Sequence, residues 1–124
     1  AFENVELPLI YSRKEEKIRK EIAYSLLKMV GLENRKNHLP MQLSGGERQR
    51  FAIARALSFS PQIILADEPT GNLDSHASTE IIELLAKLNS NGNTILIVTH
   101  NDEIAQKTKR KISIFDGKIT EDIN

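Results

Sequence analysis

Two acidic residues and one histidine follow apolar segments of this chain in an arrangement that suits phosphate chemistry. Asp67 and Glu68 come directly after the apolar run Ile63–Ala66. His100 follows a second, mostly apolar run, Thr94–Thr99. Ligands of open α/β sheets gather at the carboxyl ends of the strands. If the two runs are neighbouring parallel strands, we expect both carboxylates and the imidazole to face one crevice.

These residue types can divide the work of hydrolysing a phosphate bond. Asp67 would hold Mg²⁺, directly or through water, because this ion prefers oxygen ligands and usually takes only one or two from the protein. Glu68 would orient or deprotonate a water molecule, and His100 would donate to a γ-phosphate or hold the attacking water. Singly, an acidic pair is often only a cap or turn, and such a histidine is often an ordinary loop residue.

A pair of glycines at the predicted start of a helix offers an anion site. The segment Ser44-Gly45-Gly46-Glu47 has the S-x-x-E form of a capping box. Adjacent glycines let the backbone approach a ligand closely, and the first N–H groups of the helix point at it. An ordinary capping box with a flexible entry is the alternative, and these four residues alone leave both open.

The elements that position these residues follow from apolar spacing and turn residues. Residues 13–30 and 76–89 have helical spacing, with Gly31 as the C-cap of the first helix and Asp74 or Ser75 as the N-cap of the second. The capping box starts a further helix, whereas residues 1–12, interrupted by a proline, predict an irregular or short helical entry. Asp116-Gly117 predicts a hairpin with a type I′ turn.

Strand, helix and strand in this order predict a parallel βαβ unit, so the expected fold class is α/β. The two continuous apolar runs are typical of strands covered on both faces. A helical front end and a small antiparallel β-hairpin at the C-terminus complete the predicted architecture.

Composition excludes several classes of function. The 124 residues contain 17 Lys and Arg and 17 Asp and Glu, so no net charge steers the chain to nucleic acid. Aromatic residues are 5 %, which argues against a base-stacking surface. The longest apolar runs fall far short of the roughly 20 residues of a membrane helix, so we expect no direct membrane insertion. Cysteine is absent, as is common in a reducing compartment.

Four motifs together resemble the ATP-binding-cassette (ABC) ATPases over essentially the whole chain. They are the signature Leu43–Glu47, the Walker B segment Ile63–Pro69, the D-loop Gly71–Asp74 and the switch histidine in Val98–His100. The resemblance implies residues 1–42 as part of a helical subdomain and residues 43–124 as the signature helix, α/β core and hairpin. Residues 1–8 and 66–74 look most like the branch for lipoprotein release and for export of macrolides and antimicrobial peptides.

The resemblance also implies a role for each motif. The signature residues Ser44, Gly45, Gly46 and Glu47 would bind the γ-phosphate of ATP held by an opposite subunit. Asp67 would serve the Mg²⁺ shell, and Glu68 would be the general base. His100 would contact the γ-phosphate, and Asp74 would signal across the interface of a homodimer. A transmembrane permease would dock on residues 1–30 at the cytoplasmic face of the membrane.

The chain contains no P-loop of the form G-x-x-x-x-G-K-[ST]. Its single Gly-Lys pair, Gly117-Lys118, has Ile112 and Ile119 where the motif needs Gly and Ser or Thr. The P-loop supplies the N–H cradle and the lysine for the β- and γ-phosphates. We therefore expect this chain alone neither to bind nor to hydrolyse ATP, and we interpret Ala1 as a start within a longer sequence.

In the family's sheet the P-loop strand lies beside the switch-histidine strand, so its absence leaves the edge of Thr94–Thr99 unpaired. Such an edge recruits other strands. We expect self-association, strand exchange or a rearrangement of residues 110–124 that covers the edge. Two alternative functions remain open: an ABC-type ATPase of chromosome or repair proteins, and a non-catalytic interaction module.

Overall fold

The computed structural model describes residues 2–124, so Ala1 and its interpretation lie outside the described residues. The helices are α1 (Phe2–Tyr11), α2 (Glu16–Met29), α3 (Gly45–Leu57), α4 (Ser75–Ser90) and α5 (Asp102–Gln106). The strands are β1 (Ile63–Asp67), β2 (Thr94–Val98), β3 (Lys111–Phe115) and β4 (Lys118–Ile123). Two short 3₁₀ turns, Glu33–Arg35 and Pro40–Gln42, connect α2 to α3. The predicted α/β class is confirmed.

Local sequence signals place several element ends correctly. The capping box starts α3: the Ser44 hydroxyl oxygen accepts from the Glu47 amide at 3.2 Å, and the Glu47 carboxylate accepts from the Ser44 amide at 2.9 Å. Asp74 is the N-cap of α4. Asp116 and Gly117 have φ values of 47° and 73°, as the type I′ turn of the hairpin requires.

The entry segment is more regular than its sequence predicts. Residues 2–11 form one continuous helix although Pro8 lies inside it. Val5 and Leu9 are fully buried in the hydrophobic cluster that this helix shares with α2 and α3. Burial of these two side chains favours the helix by about 2 kcal/mol each, which is comparable with the cost of roughly 3 kcal/mol for an internal proline.

One hydrophobic cluster runs through the chain from α1 to α4 and positions the site. Its fully buried members include Leu27, Leu32 and Ile81. β1 and β2 pair in parallel, with Ile63 opposite Thr94 at one end and Asp67 opposite Val98 at the other. The predicted βαβ unit is therefore confirmed. The boundary between the two predicted portions, after residue 42, stays a prediction, and the cluster contains residues from both sides of it.

The expectation that both faces of these strands are covered is wrong. Ile64 is buried, whereas Leu65 beside it is 73 % exposed, and Leu96 and Val98 of β2 are also exposed. Side chains alternate between the faces of a strand, and the helices cover only the face that carries Ile64. Among residues 2–124 no element covers the other face.

The hairpin forms a sheet of its own. β3 pairs with β4 in antiparallel fashion, and β2 has β1 as its partner within the described residues. The expectation that residues 110–124 rearrange to cover the edge of β2 is therefore wrong, because β3 and β4 pair with each other and neither pairs with β2. Self-association and strand exchange stay predictions. No helix in the described part of the chain is long and apolar enough to cross a membrane.

Candidate functional site

The carboxyl ends of β1 and β2 bring Glu68 and His100 into direct contact. The Glu68 amide donates to the Val98 carbonyl at 2.8 Å, which extends the pairing of the strands by one residue. Glu68 Oε1 lies 2.8 Å from the His100 amide and 2.7 Å from Nδ1 of its ring. Thr99 Oγ1 donates to Glu68 Oε2 at 3.2 Å. An ionised carboxylate only accepts hydrogen bonds, so this contact places a hydrogen on Nδ1 of the imidazole.

These donors stabilise the charged form of Glu68. The hydrogen bond from the His100 ring has the largest effect and lowers the pKa of Glu68, with smaller contributions from the His100 amide and Thr99, while burial opposes them. Glu68 also has a left-handed backbone with φ of 43°. A non-glycine residue in this region costs on the order of 1 kcal/mol, and such residues are concentrated at functional sites. The chain therefore maintains an unfavourable conformation that directs this carboxylate to the end of β2.

Asp67 is separate from this cluster. Its side chain is exposed, and within residues 2–124 it makes no hydrogen bond or ion pair. The predicted convergence is thus confirmed for Glu68 with His100, whereas the second carboxylate remains unengaged at the same end of the sheet. No cluster of three or more His, Asp or Glu that could hold a metal occurs among the described residues.

The glycine pair at the start of α3 lies against the start of α4. A Cβ atom added to Gly46 would lie 3.0 Å from the Ala77 Cβ, and one added to Gly45 would lie 3.2 Å from Cδ2 of Leu73. Gly46 is buried. Close packing against Ala77 therefore favours glycine at position 46, in addition to any approach of a ligand, whereas a Cβ at position 45 would meet the movable end of the Leu73 side chain. The first amides of α3 have no acceptor within the helix, as at every helix N-terminus.

Glu47 is occupied by protein donors. Its Oε2 accepts from the Ser44 amide, and its Oε1 accepts from Nε of Arg35 at 2.9 Å. The Ser44 amide and Arg35 both lower the pKa of Glu47. The Ser44 oxygen accepts from the Glu47 amide, which leaves its hydroxyl hydrogen available to a ligand. Glu47 as a direct ligand of an anion stays a prediction.

Asp74 closes the loop that follows Glu68. Its Oδ1 accepts from the Ala77 amide at 2.8 Å. The Gly71 amide donates to the Glu68 carbonyl, so this loop begins at Glu68, the predicted general base. Through Leu73 and Ala77 the same loop and helix contact the glycine pair. The D-loop therefore connects the signature to the contact between Glu68 and His100.

Two residues of the site escaped the sequence analysis as site residues. Thr99 could have been found, since it lies at the end of a predicted strand beside His100. Arg35 could not, because nothing in the polar connection between α2 and α3 distinguishes it from the neighbouring charged residues.

Comparisons with known proteins agree with the motif pattern. The sequence profile described as "ABC transporter" matches residues 1–71. An ABC transporter ATP-binding protein of Methanocaldococcus jannaschii is 50 % identical over all of this chain and 55 % of its own length. A macrolide export ATP-binding/permease protein of Bdellovibrio bacteriovorus is 52 % identical over 98 % of this chain and 18 % of its own length.

A solved structure is similar over the same extent. The dimeric ABC transporter cassette MJ0796 has a TM-score of 0.83 and 47 % identity, covering 98 % of this chain and 55 % of that cassette. A structure of that cassette with ADP and Pi, described as a post-hydrolysis state, also has a TM-score of 0.83. The present chain thus spans about half the length of these cassettes.

Proposed function

The chain belongs to the ABC transporter family, and we propose that it is the signature and Walker B part of an ATPase subunit that powers export through a permease. The observation that carries this proposal is the contact of Glu68 with His100 at the paired ends of β1 and β2. A carboxylate and an imidazole so placed suit the positioning of a water molecule against a terminal phosphate. Phosphoryl transfer depends mainly on such positioning and on charge stabilisation.

Glu68 would hold the hydrolytic water through Oε2. An ionised carboxylate has about four lone-pair sites, and here Oε1 accepts two hydrogen bonds whereas Oε2 accepts one. Oε2 therefore keeps an acceptor site for water. The lowered pKa of Glu68 makes it a weak base at neutral pH, so its main contribution would be orientation of the water and late acceptance of its proton.

Asp67 suits a Mg²⁺ ion that is bound mainly by phosphates. The ion often takes only one or two protein carboxylates, which a single exposed and unengaged aspartate can supply. When bound, the ion neutralises the charge of the β- and γ-phosphates. The amides of Gly45 and Gly46 and the Ser44 hydroxyl would receive the γ-phosphate of ATP held by a second subunit, because a helix N-terminus favours anions.

The relatives support a proposal for the partners. The cassette MJ0796 was solved as a dimer, and the Bdellovibrio relative is named as an ATP-binding/permease protein. We therefore propose a homodimer formed through the signature and the D-loop, with Asp74 at the interface. A permease would bind the helical portion at the cytoplasmic face of the membrane. The named relatives favour the macrolide export branch, and transporter proteins among them disfavour the alternative of a chromosome or repair ATPase.

A chimaera tests the proposal. Residues 2–124 would replace the matching part of the MJ0796 cassette, and ATP turnover and nucleotide binding would be measured. We expect the chimaera to hydrolyse ATP and Glu68→Gln to lower its turnover by roughly 10²- to 10⁴-fold with ATP binding retained. The present chain alone, without a P-loop, should show no Mg²⁺-dependent binding at micromolar ATP.

One outcome would contradict this function, and a second would contradict the expected inactivity of the isolated chain. A folded chimaera without turnover, next to an active parent cassette, would favour the non-catalytic interaction module. Micromolar ATP binding by the 124-residue chain alone would show that the site does not depend on a P-loop. Circular dichroism of each variant establishes that it is folded.

A further inference from the structure

The first turn of α3 carries a negative charge where the proposed function requires an anion to bind. Glu47 is the third residue of this helix, and its side chain is mostly buried, with 17 % exposed. A phosphate at the amides of Gly45 and Gly46 would lie on the same helix end as this carboxylate. Two negative charges at such short range repel each other, and low exposure weakens the screening by water. A phosphate at this helix end therefore needs a compensating positive charge nearby.

Arg35 supplies a positive charge next to Glu47. Its Nε donates to Glu47 Oε1 at 2.9 Å, while Oε2 of the same carboxylate accepts from the Ser44 amide. Arg35 is thus the cationic partner of the capping-box glutamate.

The backbone of Arg35 is held in place from both sides. Its amide donates to the carbonyl of Leu32, a residue that is fully buried, and its carbonyl accepts from the amide of His38, both at 2.9 Å. The residue lies in a 3₁₀ turn anchored to the core next to the end of α2. Its side chain, which is 46 % exposed, therefore extends to the start of α3 from a backbone held in the helical portion of the chain.

We propose that Arg35 is a positioning residue of the signature, which neutralises Glu47 and orients it toward Ser44 so that an anion can bind the same helix end. The inference rests on the proposed function and deepens it, because it concerns the same phosphate site. Arg35 acts through Glu47. Without the guanidinium, the Glu47 carboxylate would lose one of its two donors, and its charge would oppose the incoming phosphate.

Charge-paired variants in the chimaera test this role. Arg35→Gln should lower kcat/KM for ATP roughly 3- to 100-fold, the range that Coulomb's law gives for two unit charges about 6 Å apart at an effective dielectric constant between about 80 and about 20. Adding Glu47→Gln to this variant should restore at least half of the loss on a logarithmic scale, since glutamine can still accept from the Ser44 amide. Arg35→Lys keeps the charge and should retain most of the activity. High salt should reduce the defect of Arg35→Gln, because it screens the repulsion.

A remote ion pair provides the matched control. Arg110, the residue before β3, donates two hydrogen bonds to Asp122 of β4, so Arg110→Gln also removes a paired guanidinium. This variant should leave kcat/KM unchanged.

The outcomes separate the inference from the proposed function. If the unsubstituted chimaera is active and its Arg35→Gln variant has the same kcat/KM, the inference alone is overturned. A double variant as impaired as Arg35→Gln would also overturn it, because the defect would then be structural or would come from direct contact with phosphate. Failure of the proposed function itself would appear as absent turnover in the unsubstituted chimaera.

Discussion

Replacement of Gly46 by alanine tests whether this glycine serves helix packing. The residue has an ordinary helical backbone, so alanine is allowed there and, in a helix interior, would add up to about 1 kcal/mol of stability. The new methyl carbon would, however, lie 3.0 Å from the Ala77 Cβ, whereas carbon atoms prefer about 3.5–4.0 Å. Either α3 and α4 separate or the contact stays compressed.

The expected net effect is destabilisation. Overpacking of this kind costs about 1–3 kcal/mol, and the helix-propensity gain is smaller in the first turn than in a helix interior. We expect Gly46→Ala to lower the free energy of unfolding of the chain by about 1–2 kcal/mol. For a chain of this length that corresponds to a melting temperature lower by roughly 3–10 °C. Equilibrium unfolding in urea, followed by circular dichroism, measures the difference.

Two further variants make the test specific. Ala77→Gly combined with Gly46→Ala removes the facing methyl group, so the double variant should be at least 1 kcal/mol more stable than the sum of the single effects predicts. Gly45→Ala should cost less than Gly46→Ala, because its Cβ meets the movable end of the Leu73 side chain at 3.2 Å. Additive single effects, or a Gly46→Ala variant as stable as the parent, would refute the packing argument.

Three other predictions concern caps, protons and surfaces. Asp74→Ala removes the N-cap of α4 and should lower the free energy of unfolding, measured in urea, by about 1 kcal/mol. Asp74→Asn should lower it little, because asparagine also caps helices, and equal losses in the two variants would contradict the capping role. The pKa of Glu68 is lowered in the folded chain, so its stabilising contribution is present at neutral pH and is lost as the pH falls through the folded pKa. The difference in free energy of unfolding between the parent chain and Glu68→Gln should therefore vanish in acid. A difference that stays constant with pH would contradict this contribution of the Glu68 carboxylate. The chain should self-associate through the exposed apolar face of β1 and β2, as sedimentation would measure. Leu65→Lys and Leu96→Lys on this face should reduce the association, whereas the control Leu7→Lys on α1 should not. A monomeric parent chain would refute this prediction.

Local features of the fold were predictable from the sequence. The capping box at Ser44, the cap at Asp74 and the turn at Asp116-Gly117 each depend on hydrogen bonds or φ preferences within a few residues. Such preferences act before any tertiary contact forms, which is why the residue types alone indicate them. The order of the four motifs is also a property of the sequence alone, and it indicated the family.

Some features were decided by the tertiary structure alone. Glu68 meets His100 across 32 positions because the parallel register of β1 and β2 ends both strands at one level. Arg35 reaches Glu47 because the 3₁₀ turn is anchored to the core beside α3. The exposure of Leu65 also followed only from the assembled fold: an apolar run indicates a strand, but which of its faces is covered depends on where the distant helices pack.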